Sequence, residues 1–367
     1  MAGTSNRTVA LRFAAILGVA FCLVSASFAQ HYTRTDLTTN NSSVTTAPNV
    51  DPNLVNPWGL ARGSGSPWWI SDNGTGLSTL YDGTGAIQSL VVTIPPPKGQ
   101  TATAAPSGTV FNYTTSFQVA SGKPAVFLFV TEDGTISGWN PTVNLGAAVR
   151  VINHPNTAIY KGCAIATTPG GPRLYVNNFK SGRVEVYDGN FARMFGEERF
   201  FDPTLPPHFV PFGIQNIGGN LAITFAQRDP GSTDENHGAG LGFVRIFETC
   251  GRLVLRLQHG AFLNAPWGIA LAPGDFGPFS HRLLIGNFGD GTINAFNALT
   301  GRFEGKLLDP SGKNIWIDGL WALSFAGDST KNGVATELYF TAGPNDESNG
   351  IFGKLAATTG EQRGNTE

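Results

Sequence analysis

The chain has 367 residues, with 24 Lys and Arg against 26 Asp and Glu, for a formal net charge of −2. Its few basic residues are scattered, which excludes a nucleic-acid surface built on clustered phosphate-neutralising cations. Glycine (47) and proline (23) are abundant, and both break helices and make turns. No stretch of about 15 residues carries a helical stripe, so many short strands are expected.

The first segment reads as a secretory signal. Arg7 and Arg12 form a basic lead, Phe13–Val24 an apolar run, and "SASFA" a small-residue end, with cleavage expected after Ala29. The run is too short for the ~20 residues a membrane span needs, and no later segment reaches that length. Residues 1–29 are therefore expected to be a leader. The mature chain is expected to be exported to the periplasm or beyond the cell, as a monomer without a membrane span.

After the leader the sequence repeats itself. "NPWGLA" (56–61), "APSGTV" (105–110), "IYKGCA" (159–164), "VPFGIQ" (210–215), "APWGIA" (265–270) and "GLWALS" (319–324) align on Gly59, Gly108, Gly162, Gly213, Gly268 and Ala322. The intervals are 49, 54, 51, 55 and 54 residues; the last copy can also be registered three residues earlier, on Gly319. Behind each comes a hairpin signal, such as "WWISDNGTGLSTLYDGTG" (68–85) or "RLYVNNFKSGRVEVYDGN" (173–190): an apolar run, a glycine-bearing turn, then period-two alternation. A fourth strand trails, as in "RLVLRLQH" (252–259).

Six units of four antiparallel strands predict an all-β fold, a six-bladed β-propeller over residues 30–355, with 356–367 as an unstructured tail. The sixth unit lacks its outer strand, while "HYTRTDLTT" (31–39) has no unit of its own. That segment is expected to close the last blade and remove an open sheet edge. Glycine at the start of each inner strand lets neighbouring backbones approach. Cys163 falls on an inner strand and Cys250 in an outer turn, too far apart to bridge.

The residue before each aligned glycine is expected to face the channel mouth: Trp58, Ser107, Lys161, Phe212, Trp267 and Trp321. Trp58, Phe212, Trp267 and Trp321 either stack on a sugar or aromatic ligand or plug the centre. Lys161 near a crowded axis calls for an anionic ligand or a carboxylate partner, with Glu132 and Asp72 the candidates. Asp72, Glu132, Asn178 and Asn287 end second strands. They form a candidate oxygen-ligand ring for Ca²⁺, or else cap hairpin turns. The fourth unit carries a long insertion, "QRDPGSTDENHGAGLG" (227–242). Its Asp229, Asp234, Glu235 and His237 either reach over the channel or sit in a mobile loop.

Together "DPNLVNPWGLA", "FVTEDGTISGWNP", "LNAPWGIALAP", "GNFGDGTINAF" and "YFTAGPNDE" resemble a family of conserved hypothetical exported bacterial proteins, some ending in a PEP-CTERM sorting tail. The resemblance spans roughly residues 31–355 and implies fold and compartment, with no activity to carry over. No such tail follows Lys354. More distantly, the repeat is similar to NHL-type blades and to gluconolactonase-like propellers, in which a comparable ring positions a metal that polarises a lactone. No nucleophile elbow, zinc motif or phosphate loop is present. The leading expectation is a propeller binding a small molecule or protein partner at its mouth, through Trp58, Lys161, Phe212, Trp267, Trp321 and His237. The rival is a Ca²⁺-assisted lactonase-like hydrolase using Asp72, Glu132, Asn178 and Asn287.

Overall fold

Each sequence repeat folds into one antiparallel sheet in the computed structural model, which describes residues 31–196 and 200–359. The expected leader and residues 360–367 lie outside them. Blade one contains Pro57–Ala61, Trp68–Asp72, Leu77–Tyr81 and Val92–Thr93. Blade two contains Pro106–Phe111, Phe127–Thr131, Thr135–Trp139 and Val149–Asn153. Blade three has Tyr160–Thr168, Gly171–Asn178 and Arg183–Asp188, its outer edge reduced to a bridge from Tyr187 to Arg193. Blade four has Phe209–Ile217, Asn220–Gln227, Gly242–Phe247 and Leu253–Arg256. Blade five has Pro266–Leu271, Arg282–Asn287, Ile293–Asn297 and Phe303–Lys306. Blade six has Leu320–Phe325, Leu338–Ala342 and Ile351–Ala357.

The missing outer strand of blade six is Tyr32–Thr39, antiparallel to Ile351–Ala357 with Tyr32 opposite Ala357. Tyr32 anchors this closure: its ring stacks on Phe276 at 4.6 Å and its hydroxyl donates to the Phe276 carbonyl at 2.9 Å. Two details differ from the sequence reading. The last strand continues to Ala357, past the expected boundary at 355, because the closing strand pairs with it there. A short strand, Asn49–Val50, also adds to blade six in parallel.

Neighbouring blades cover both faces of each sheet, so whole second strands are buried, as in Trp68–Asp72 and Phe127–Thr131. This is why they read as continuous apolar runs. The core lies between blades: Leu128 and Val130 of blade two share one cluster with Ile165 and Val176 of blade three.

The repeated Pro-Trp-Gly has two causes. A Cβ on Gly59 would meet the Ser107 carbonyl at 2.6 Å, and one on Gly213 would collide with the Trp267 carbonyl, so inner strands touch backbone to backbone. In every blade the pairing also slips beside this position, as between Tyr160 and Gly162 or between Pro266 and Gly268. Such a bulge re-aims one side chain. In blade six the slip lies between Leu320 and Leu323, which fixes the repeat on Ala322. Cys163 is buried and Cys250 exposed, both free. No helix among the described residues is long and apolar enough to cross a membrane.

Candidate ligand site at the channel mouth

The re-aimed aromatic residues fill the channel beneath its mouth. Trp58 stacks on Trp321 at 3.6 Å, Trp267 meets Trp321 edge-on at 5.8 Å, and Phe212 reaches Trp321 at 6.0 Å. Phe288 stacks on the other side of Trp321 at 3.9 Å. Trp267 Nε1 donates to the Lys161 carbonyl at 2.9 Å, and Trp321 Nε1 to Asn56 Oδ1 at 3.0 Å. Phe212, Trp267 and Trp321, read from sequence as ligand contacts, do not line the cavity above. They form its foundation, because six inner strands meeting at one axis leave space that only packed rings fill.

Lys161 stands on this platform. Its Nζ lies 2.5 Å from Glu132 Oε1, 3.3 Å from Asp234 Oδ1 and 3.8 Å from Glu235 Oε2. It also sits 4.8 Å from the Trp58 ring centroid and 5.2 Å from that of Phe179, within cation–π reach. Burial pulls its pKa down, but Glu132 and Glu235 outweigh that and hold it above the ordinary lysine value. Glu132 is held from blade one as well, accepting from Asn73 Nδ2 at 2.8 Å. The insertion of blade four delivers Asp234 and Glu235. It is tied down by Asn236 N to the Gln227 carbonyl at 2.8 Å and Gly238 N to Asn264 Oδ1 at 2.7 Å.

Above Lys161 opens a cavity of about 420 Å³ lined by Trp58, Phe288 and His237 and by six carboxylates: Glu132, Asp234, Glu235, Asp318, Asp346 and Glu347. One ammonium thus faces six acids. Asp346 and Glu347 come from the last hairpin turn, where Asn345, Asp346 and Glu347 all have positive φ (57°, 53° and 62°). Left-handed conformation costs non-glycine residues roughly 1–2 kcal/mol each, and strain of this kind gathers at functional sites. Asp318 Oδ2 accepts Asn345 N at 2.9 Å and holds the turn in place. Burial, with the like charges of Glu132 and Glu235, pushes the Glu347 carboxyl up to about 7. Pairing with Glu235 raises His237 above the usual imidazole value.

Two buried polar atoms of this cavity's lining have no hydrogen-bond partner: Trp58 Nε1, a donor, and Glu235 Oε2, an acceptor. Trp58 is 2% exposed and the Glu235 side chain 4%. A buried polar group without a hydrogen bond is costly; of these two, Glu235 Oε2 retains the Lys161 ammonium at 3.8 Å as an ionic neighbour.

The four residues expected as a metal ring are not brought together. Glu132 alone lines the cavity. Asp72 Oδ2 accepts from Thr79 N and Oγ1 at 3.0 and 2.8 Å, and burial raises its pKa well above the carboxylate range. Asn178 donates to Glu185 at 2.7 Å and accepts from Ser181 N at 3.2 Å. Asn287 donates to the Phe262 carbonyl at 2.8 Å and accepts from Asn264 N at 3.2 Å. These three hold their own hairpins and the adjoining connections. No group of three or more His, Cys, Asp or Glu among the described residues has a metal-holding arrangement. Of the insertion's candidates, Asp234, Glu235 and His237 reach the mouth, whereas Asp229 bonds Asn236 within the loop at 3.0 Å.

Sequence reasoning missed Phe288, Asp318, Asp346 and Glu347. The available signal was "GPNDESNG" (343–350), an acidic turn longer than its counterparts in blades one, two, three and five.

This geometry defines a ring-closed propeller with an acidic, aromatic-floored mouth. No protein-family model matches the chain. It is 33% identical over 320 residues to the uncharacterized protein R648 of Acanthamoeba polyphaga mimivirus, covering 84% of this chain and 76% of that protein. It is 32% identical to the uncharacterized protein L690 of the same virus, covering 84% and 82%. The chain belongs to the family of these uncharacterized mimivirus proteins. These relatives are viral, not the exported bacterial proteins that the motifs suggested. Among solved structures, a glucose dehydrogenase superposes with a TM-score of 0.54 at 12% identity, over 89% of this chain and 100% of that one. A gluconolactonase from Xanthomonas campestris reaches 0.48 at 14% identity, over 83% and 87%. Likeness at such identity concerns the fold alone.

Proposed function

We propose that this chain is an exported binding propeller whose mouth takes a small hydroxylated organic amine, an amino sugar being the simplest example. The observation that carries this reading is a cavity with six acidic side chains and one lysine, in which Trp58 Nε1 and Glu235 Oε2 make no hydrogen bond and the latter has only the Lys161 ammonium at 3.8 Å. The indole N–H suits a hydroxyl oxygen, and the carboxylate oxygen suits an ammonium. Lys161 is shared among Glu132, Asp234 and Glu235, and six acids outnumber it, so the excess negative charge favours a cation. A concave mouth of one charge sign also draws oppositely charged ligands from solution. The cavity falls within the range of about 300–1,000 Å³ common for small-molecule sites. The basic lead and apolar run of residues 7–24 support export.

The Ca²⁺-assisted lactonase reading has less support, since Asp72, Asn178 and Asn287 are bonded within their hairpins and adjoining connections. Titration calorimetry with glucosamine, glucose and gluconate tests the proposal. Glucosamine is expected to bind, more weakly as salt rises, with glucose at least about tenfold weaker and gluconate silent. Gluconate binding as well as glucosamine, or no glucosamine binding, would overturn it.

A further inference from the structure

We propose that the ligand is an aminated oligosaccharide that leaves the mouth across Asp318 and lays a second sugar on Trp316. This rests on the reading of the mouth given above and extends it outward along one connection, the segment joining blade five to blade six.

A second cavity, about 490 Å³, is lined by Arg34, Asp36, Thr45, Trp316, Asp318 and Asn345, among others. Asp318 lines both cavities. Trp316 is 61% exposed and lines this cavity. The polar groups beside it are fixed in advance. Arg34 donates to Asp36 through Nε at 2.7 Å and Nη2 at 3.0 Å, and to the Trp316 carbonyl through Nη1 at 2.9 Å. Thr45 Oγ1 donates to Asp36 Oδ2 at 2.6 Å.

An exposed aromatic face beside a rigid guanidinium–carboxylate fork suits a pyranose. The sugar's C–H face lies on the ring and its hydroxyls reach the planar polar groups. A linear polyamine would satisfy the carboxylates of the mouth but leave Trp316 and the Arg34–Asp36 fork without a role. The closing strand supplies Arg34 and Asp36, so this subsite exists only in the closed ring.

Titration calorimetry on the full chain, with glucosamine, its β-1,4-linked trimer and spermidine, tests the extension. The trimer is expected to bind about tenfold more tightly than the monomer. Trp316→Ala is expected to abolish that gain and leave glucosamine affinity unchanged, and Trp316→Phe to restore most of it. Thermal unfolding of each variant verifies the fold. Glucosamine binding with a trimer affinity indifferent to Trp316→Ala overturns the subsite and spares the mouth, as does an equal Trp316-dependent gain for spermidine. Absence of glucosamine binding removes both.

Discussion

Lys161 and Glu132 meet across the boundary between blades three and two, Nζ to Oε1 at 2.5 Å, with the ammonium almost fully buried. The protein thereby carries its own cation at the centre of the mouth, in contact with Asp234 as well. His237 also lies there, and pairing with Glu235 favours its imidazolium form; the other charged side chains that converge there are acidic. The mouth's remaining demand is for positive charge.

Removing that built-in cation should expose the demand directly. Lys161→Met leaves Glu132 and Glu235 without their partner, and breaking a buried pair costs about 3 kcal/mol or more. Thermal unfolding is expected to show the loss, with partial recovery in millimolar CaCl₂, since clustered carboxylate oxygens accept calcium. Wild-type protein is expected to gain little from the same salt.

Glu347 and His237, both raised, are expected to contribute to the site's pH dependence. The folded Glu347 pKa of about 7 lies above the ordinary carboxylate range, so the folded state retains a proton that the unfolded chain releases. Stability should therefore fall as pH rises from the ordinary carboxylate range to about 7, then level off. Glu347→Gln is expected to flatten that decline and to be more stable than wild type at pH 8. Amine affinity should change in the opposite sense, strengthening as pH rises through 7, and this rise should be smaller in the variant.

Closure of the ring rests on the buried Tyr32. Tyr32→Ala removes a ring stacked on Phe276 and a hydroxyl bonded to its carbonyl. A loss of about 3–5 kcal/mol is expected in denaturant unfolding. A loss below 1 kcal/mol would show that the closing strand is dispensable.

Gly213 should be intolerant as well. Gly213→Ala places a methyl against the Trp267 carbonyl, and the backbone must shift to admit it. A destabilisation of about 2 kcal/mol or more is expected.

The propeller was legible because its cause is local and repeated. Gly59 through Gly268 recur where backbones touch, and the unpaired "HYTRTDLTT" announced a strand without a sheet. The partnership of Lys161 with Glu132 was legible too, because a buried ammonium requires a carboxylate. Asp346 and Glu347 were not. They line the cavity above Lys161 through three consecutive left-handed residues and through ring closure, which sets blade six beside blade one. Neither follows from spacing. Asn178 and Asn287 were ambiguous for a related reason: a turn-holding amide and a metal-binding amide look alike until their hydrogen bonds are known.

The most direct measurement is a crystal structure of the protein soaked with glucosamine. The ammonium is expected within about 3 Å of Glu235 Oε2, with a hydroxyl at similar distance from Trp58 Nε1. Glucosamine bound elsewhere, with neither of those atoms hydrogen-bonded to it, would contradict the proposed role of the mouth.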